Sequence, residues 1–106
     1  MASLSTHVLD TSTGRPAEGV RVALEAADGT VLASGVTDAD GRIGDLAADL
    51  AHGDHRLRFD TGSWFAGRGV DAFYPEVVVA FTITADEHHH VPLLLNPFGY
   101  STYRGS

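Results

Sequence analysis

Six histidines fall within 106 residues, and three of them are consecutive at positions 88–90. They open an apolar run, Val91-Pro92-Leu93-Leu94-Leu95, which turns at Asn96-Pro97 and ends in Tyr103-Arg104-Gly105-Ser106. A phenol, a guanidinium, two small residues and a terminal carboxylate within four positions suggest a tail that is held in place. The plainer alternative is a last strand with a polar end. Imidazole has a pKa near 6.5, so it can accept a proton at neutral pH. A second imidazole and a guanidinium beside it disfavour its charged form. The same guanidinium can stabilise the oxyanion formed when water attacks an amide carbonyl. His7, Arg42, His90 and Arg104 supply these groups, provided that folding brings them together.

Other chemistries have weaker support. On an extended strand His88 and His90 share a face and His89 opposes them. Such a His-x-His pair can begin a zinc site, with His7 or His55 as a third ligand. Three histidines after Asp86-Glu87 suit a solvated turn equally. There is no cysteine, which excludes disulfides, thiolate metal sites and a cysteine nucleophile. No Gly-x-Ser-x-Gly elbow supports Ser101 or Ser106 as a nucleophile. Asp38-Ala39-Asp40-Gly41 resembles the start of a calcium loop, but Asp49 stands where the closing glutamate belongs. Carboxylates capping a tight turn explain it better.

The elements that must position these groups follow from a period-two pattern with turn residues every ten or so positions, which predicts an all-β sandwich. Residues 4–10 form a strand whose Val8 faces the core and whose His7 faces outward. Residues 11–18 are a loop. Residues 20–26 and 30–37 form a hairpin around Asp28-Gly29, and the turn at 38–41 leads into Arg42. Residues 43–50 read as a short strand and loop. Residues 55–60 place His55, Leu57 and Phe59 on one side. At 61–68 the alternation breaks, predicting a short helix capped by Asp60 or Thr61, with Trp64 and Phe65 apolar and Gly67 or Gly69 ending it. Residues 70–75 are a loop. Residues 76–84 carry β-branched residues on both faces, which predicts a central or interface strand. Pro92 cannot donate to a ladder, so 88–95 is expected at an edge or with one side free. Residues 100–103 would be the last strand.

The length fits one domain, residues 1–106, with a single core. The formal net charge is −7 and every cation is an arginine, so a general nucleic-acid or anionic-membrane binder is not expected. An anionic small molecule would be met by a local arginine cluster. No apolar run approaches the roughly 18–20 residues of a membrane span. The start, MASLSTH, lacks the parts of a signal peptide, and the end is not a Ser-Lys-Leu peroxisomal address, so a cytoplasmic protein is expected.

The segment HVPLLLNPFGYSTYRGS (residues 90–106) resembles the C-terminal signature of the transthyretin-related 5-hydroxyisourate hydrolases. LSTHVLD (4–10) followed by TGRPA (13–17) resembles their N-terminal signature, TDADGR (37–42) their central one, and FYPEVVV (73–79) also fits. The resemblance covers nearly the whole chain. It implies a transthyretin-like (prealbumin-like) β-sandwich of two antiparallel sheets with one short helix. It implies hydrolysis of 5-hydroxyisourate, the product of urate oxidation, by opening an amide bond of the six-membered ring. The product would be 2-oxo-4-hydroxy-4-carboxy-5-ureidoimidazoline, within purine degradation. The implied site needs neither metal nor cofactor. His7 and His90 would position and deprotonate water, Arg42 would bind substrate oxygens, Tyr103 and Arg104 would hold the ureide, and Ser106 would close the pocket. It also implies a homotetramer, a dimer of dimers, with the site in the channel between dimers. Asn96 stands where serine is common and His89 where tyrosine is common. The competing class is a transthyretin-like small-ligand binding module without catalysis. Transthyretin itself lacks the tail tetrapeptide and both active-site histidines.

Overall fold

The computed structural model describes residues 2–106. Nine strands and one helix follow in order: β1 (Ala2–Asp10), β2 (Arg15–Pro16), β3 (Arg21–Ala26), β4 (Val31–Val36), β5 (Arg42–Leu50), β6 (Gly53–Phe59), α1 (Thr61–Ala66), β7 (Val77–Ile83), β8 (His88–Asn96) and β9 (Gly99–Thr102). One sheet runs β2-β1-β8-β9, with β5 also paired to β1; the other runs β4-β3-β6-β7. All pairings are antiparallel except β1 with β8, which are parallel.

Alternation decides what lies between the sheets. Leu4 and Val8 of β1 and Val91, Leu93 and Leu95 of β8 are buried. They join Val22 and Leu24 of β3, Leu57 and Phe59 of β6 and Val77 and Val79 of β7 in one core. Each such side chain contributes about 1.5–3 kcal/mol by leaving water. Thr6 is fully buried in this layer, and its Oγ1 donates to the Val91 carbonyl at 2.7 Å, so its hydroxyl is satisfied. The opposite face of the same two strands then carries Ser3, Ser5 and His7 beside His88 and His90.

Four expectations need correction. Residues 43–50 are no short strand with a loop. Together with Arg42 they form the nine-residue β5, paired along β1. Register shifts between Ala2 and Leu4 and between Leu4 and Thr6 add residues on β5 and spoil its alternation. Strand β7 is not central: it ends its sheet, and Val78, Ala80 and Thr82 on its outer face are exposed. Strand β8 is not at an edge, since it lies between β1 and β9. Its ladder with β9 lapses opposite Pro92 instead: Leu93 pairs with Thr102, and His90 pairs with Gly105 in the same register, leaving Tyr103 and Arg104 unladdered between them. Helix α1 lacks the predicted side-chain cap. Asp60 stands at the N-cap without a capping bond, and the buried Thr61 Oγ1 has no partner among the described residues. Phe65, buried in the core, and a 2.7 Å bond from Trp64 Nε1 to the Glu18 carbonyl hold the helix instead. No helix of the described residues is long and apolar enough to cross a membrane.

The turn before Arg42 is built tightly. Asp38 Oδ1 accepts from the backbone N–H of Asp40 and of Arg42, both at 2.9 Å. Gly41 has φ +74°, and a Cβ there would run into the Val8 carbonyl oxygen. Gly41→Ala is therefore expected to destabilise the fold by about 2 kcal/mol or more. A fall in the urea midpoint at unchanged slope is the expected result.

Candidate active site

The parallel pairing of β1 and β8 sets the spacing of the outer face. Ser3 lies beside His88, Ser5 beside His90 and His7 beside Pro92. On the other side of β1 the ladder places Arg42 opposite His7. Two imidazoles and a guanidinium thus come from three strands onto one surface. A cleft of about 210 Å³ opens there, lined by Ser5, Thr6, Arg42, Gly44, His88, His90 and Ser106.

His90 is held from two sides. Its Nδ1 lies 2.7 Å from Ser5 Oγ. The Gly105 N–H donates to its carbonyl at 2.8 Å, folding the tail against the strand. A Cβ on Gly105 would stand 2.5 Å from His90 Cδ2, so only glycine lets the tail lie against the ring. Partial burial lowers the His90 pKa below the usual histidine value, and the positive charges of Arg42, His7 and His88 lower it further. Near neutral pH the ring is uncharged and can accept a proton. The adjacent Arg42 is exposed and can meet a developing oxyanion.

Of the residues singled out from the sequence, His7, Arg42, His90 and Ser106 converge on this face. Tyr103 and Arg104 do not line the cleft. They border a separate cavity of about 220 Å³ with Val79, Phe81, His89 and Val91. Arg104 donates to Glu87 Oε1 at 2.6 Å. His55 cannot complete a zinc site, because it faces the core from the other sheet, stacked on Phe81 at 5.9 Å. No group of three or more His, Cys, Asp or Glu side chains among the described residues is placed to hold a metal ion. His89 is buried on the core face with Nδ1 2.9 Å from the Glu87 carbonyl.

Sequence reasoning missed Ser3 and Ser5, and it considered His88 only as a metal ligand on the face of His90. Ser3 and Ser5 share the outward phase of His7, which was visible; the strand laid beside them was not. A larger depression, about 480 Å³, lies between β3, β4 and β6 and includes Arg21, Arg58, Asp60 and Glu76. Its Arg58 is already committed to Glu25 at 2.9 Å and to Glu76, and it holds no imidazole, so it offers no comparable proton chemistry.

The sequence profile of the HIUase/Transthyretin family matches residues 4–105. The 5-hydroxyisourate hydrolase of Salmonella typhimurium is 50% identical over 109 residues, covering 97% of this chain and 80% of that protein. The solved structure of Klebsiella pneumoniae 5-hydroxyisourate hydrolase superposes with a TM-score of 0.92 at 47% identity, covering 98% of this chain and 99% of that one. Sea bream transthyretin in complex with thyroxine gives a TM-score of 0.89 at 33% identity, covering 97% and 94%.

Replacing Arg42 by glutamine removes one of the charges that hold His90 neutral. The His90 pKa is expected to rise part of the way toward 6.5, since burial remains the larger cause. The folded wild-type chain binds fewer protons at His90 than the unfolded chain does. Acidification from 6.5 down through the His90 pKa therefore costs stability, and Arg42→Gln narrows that window. Titration of the ring protons by NMR checks the shift; an unchanged or lower value would contradict it.

Proposed function

This chain belongs to the HIUase/Transthyretin family, and we propose that it hydrolyses 5-hydroxyisourate by ring opening with activated water, as a step of purine degradation. The observation that carries this is the register that sets His90, His7 and Arg42 on one outward face, with Ser106 at the same cleft. His90 takes a proton from water as the water oxygen bonds to the amide carbonyl carbon. Arg42 stabilises the oxyanion. Collapse breaks the carbon–nitrogen bond, and the proton returns to the leaving nitrogen. His7, directly across the ladder from Arg42, positions the water or the substrate. Ser106 closes the cleft.

For Tyr103 and Arg104 to hold the ureide, both side chains must turn from the separate cavity they border toward the cleft, and Arg104 must leave Glu87. That pair is 66% and 55% exposed, so water screens it and it is weak. We further propose a homotetramer, a dimer of dimers. It would cover the exposed Phe73, Phe98, Tyr100 and Tyr103 and the free edge of β7.

The test is the ultraviolet decay of freshly generated 5-hydroxyisourate with EDTA-treated protein. Wild type is expected to accelerate decay, and His90→Ala to lower kcat/KM by about 10²–10⁴-fold. Deleting residues 103–106 is expected to abolish turnover without unfolding the core. Full activity in His90→Ala would remove that residue from the mechanism. No acceleration by folded wild type would favour ligand binding without catalysis.

A further inference from the structure

We propose that Ser5 and His88 are positioning residues that form, with His90, a directed proton relay along the cleft wall toward the exposed start of β8. This rests on the proposed role of His90 as the base. The side chains make one unbroken line. Ser3 Oγ lies 2.7 Å from His88 Nδ1, His88 Nε2 lies 2.8 Å from Ser5 Oγ, and Ser5 Oγ lies 2.7 Å from His90 Nδ1. Ser5, in the middle of the line, is buried; His90 at one end is half-buried and His88 is exposed, so the line leads outward from the half-buried ring to solvent.

The direction of the line decides what His90 can do. A serine hydroxyl has one proton, so Ser5 donates to one ring and accepts from the other. In one arrangement His90 Nδ1–H donates to Ser5, Ser5 donates to His88 Nε2, and His88 Nδ1–H donates to Ser3. His90 Nε2 then carries a lone pair and is a base. In the opposite arrangement every bond reverses, and His90 Nε2 carries a proton and is a donor. The two arrangements differ only in where the protons sit.

Catalysis uses the change between them. When His90 Nε2 gains the proton of the attacking water, Nδ1–H passes its proton to Ser5 Oγ. Ser5 passes its own proton to His88 Nε2. Each transfer makes one N–H or O–H bond and breaks one, and the positive charge moves to His88. That move carries the charge away from the half-buried His90, on which Arg42 and His7 both act, to a side chain open to water. Neither His88 nor His90 has an ion-pair partner among the described residues; the nearby Glu87 is engaged by Arg104. The reverse transfer returns a proton for the leaving nitrogen.

The experiment combines steady-state kinetics of Ser5→Ala, Ser5→Thr and His88→Gln with ¹⁵N NMR of the ring nitrogens. Ser5→Ala and His88→Gln are expected to lower kcat about tenfold or more with KM within about twofold, and Ser5→Thr, which keeps the hydroxyl, to recover most of the rate. The NMR is expected to show the neutral His90 ring with its proton on Nδ1 in wild type and with a changed Nδ1/Nε2 balance in Ser5→Ala. Wild-type kcat in both Ser5→Ala and His88→Gln, with His90 still required, would overturn the relay. A His90 Nδ1/Nε2 balance that is the same in wild type and Ser5→Ala would overturn it too, and that arm needs no substrate. Loss of the His90 requirement itself would instead defeat the assignment of the base.

Discussion

The parallel pairing of β1 with β8 is the constraint on which the site depends. Its register is fixed from the buried side, where Leu4, Thr6 and Val8 must lie beside the chain that carries Val91, Leu93 and Leu95. Slipping one strand by one residue would turn its apolar set to water and its serines or histidines into the core. The outer face inherits that precision. That register sets Ser3 beside His88 and Ser5 beside His90.

The tail is the second fixed part. After Asn96 the chain doubles back as β9 and stays in register with β8 as far as Gly105. Pro92 lies within the interrupted stretch, because it has no N–H to offer. The interruption frees Tyr103 and Arg104 from the ladder, while the His90–Gly105 bridge anchors the chain end beyond them. One end of the segment is therefore tied to the base, and its long side chains are left exposed. The absence of a side chain on Gly105 permits the close approach to the imidazole.

Much of the architecture was legible because alternation is a local property. The outward phase of His7, the hairpin at Asp28-Gly29, the tight turn before Arg42 and the short helix at Trp64 and Phe65 each follow from a few neighbouring residues. The failures share a cause. Strand β5 was obscured because bulges shift its period, and the edge position of β7 and the internal position of β8 depend on partners distant in sequence. The link of Ser5 to His90 joins residues 85 apart, across a parallel pair that no local pattern announces. His7, Arg42 and His90 were found as types that could cooperate and through family resemblance; their shared face is a product of topology.

The chemistry rests on keeping one imidazole neutral where a guanidinium also stands. Burial and the charges of Arg42 and His7 act in the same direction on His90, so the group that stabilises an oxyanion also preserves the base. The most direct test is the pH dependence of kcat/KM for 5-hydroxyisourate with wild-type protein, which reports the ionisation of the free enzyme. An acid limb centred below 6.5, the ordinary histidine value, is the expected result. A limb centred at or above 6.5, or a rate that does not fall in acid, would contradict a base held neutral by its surroundings.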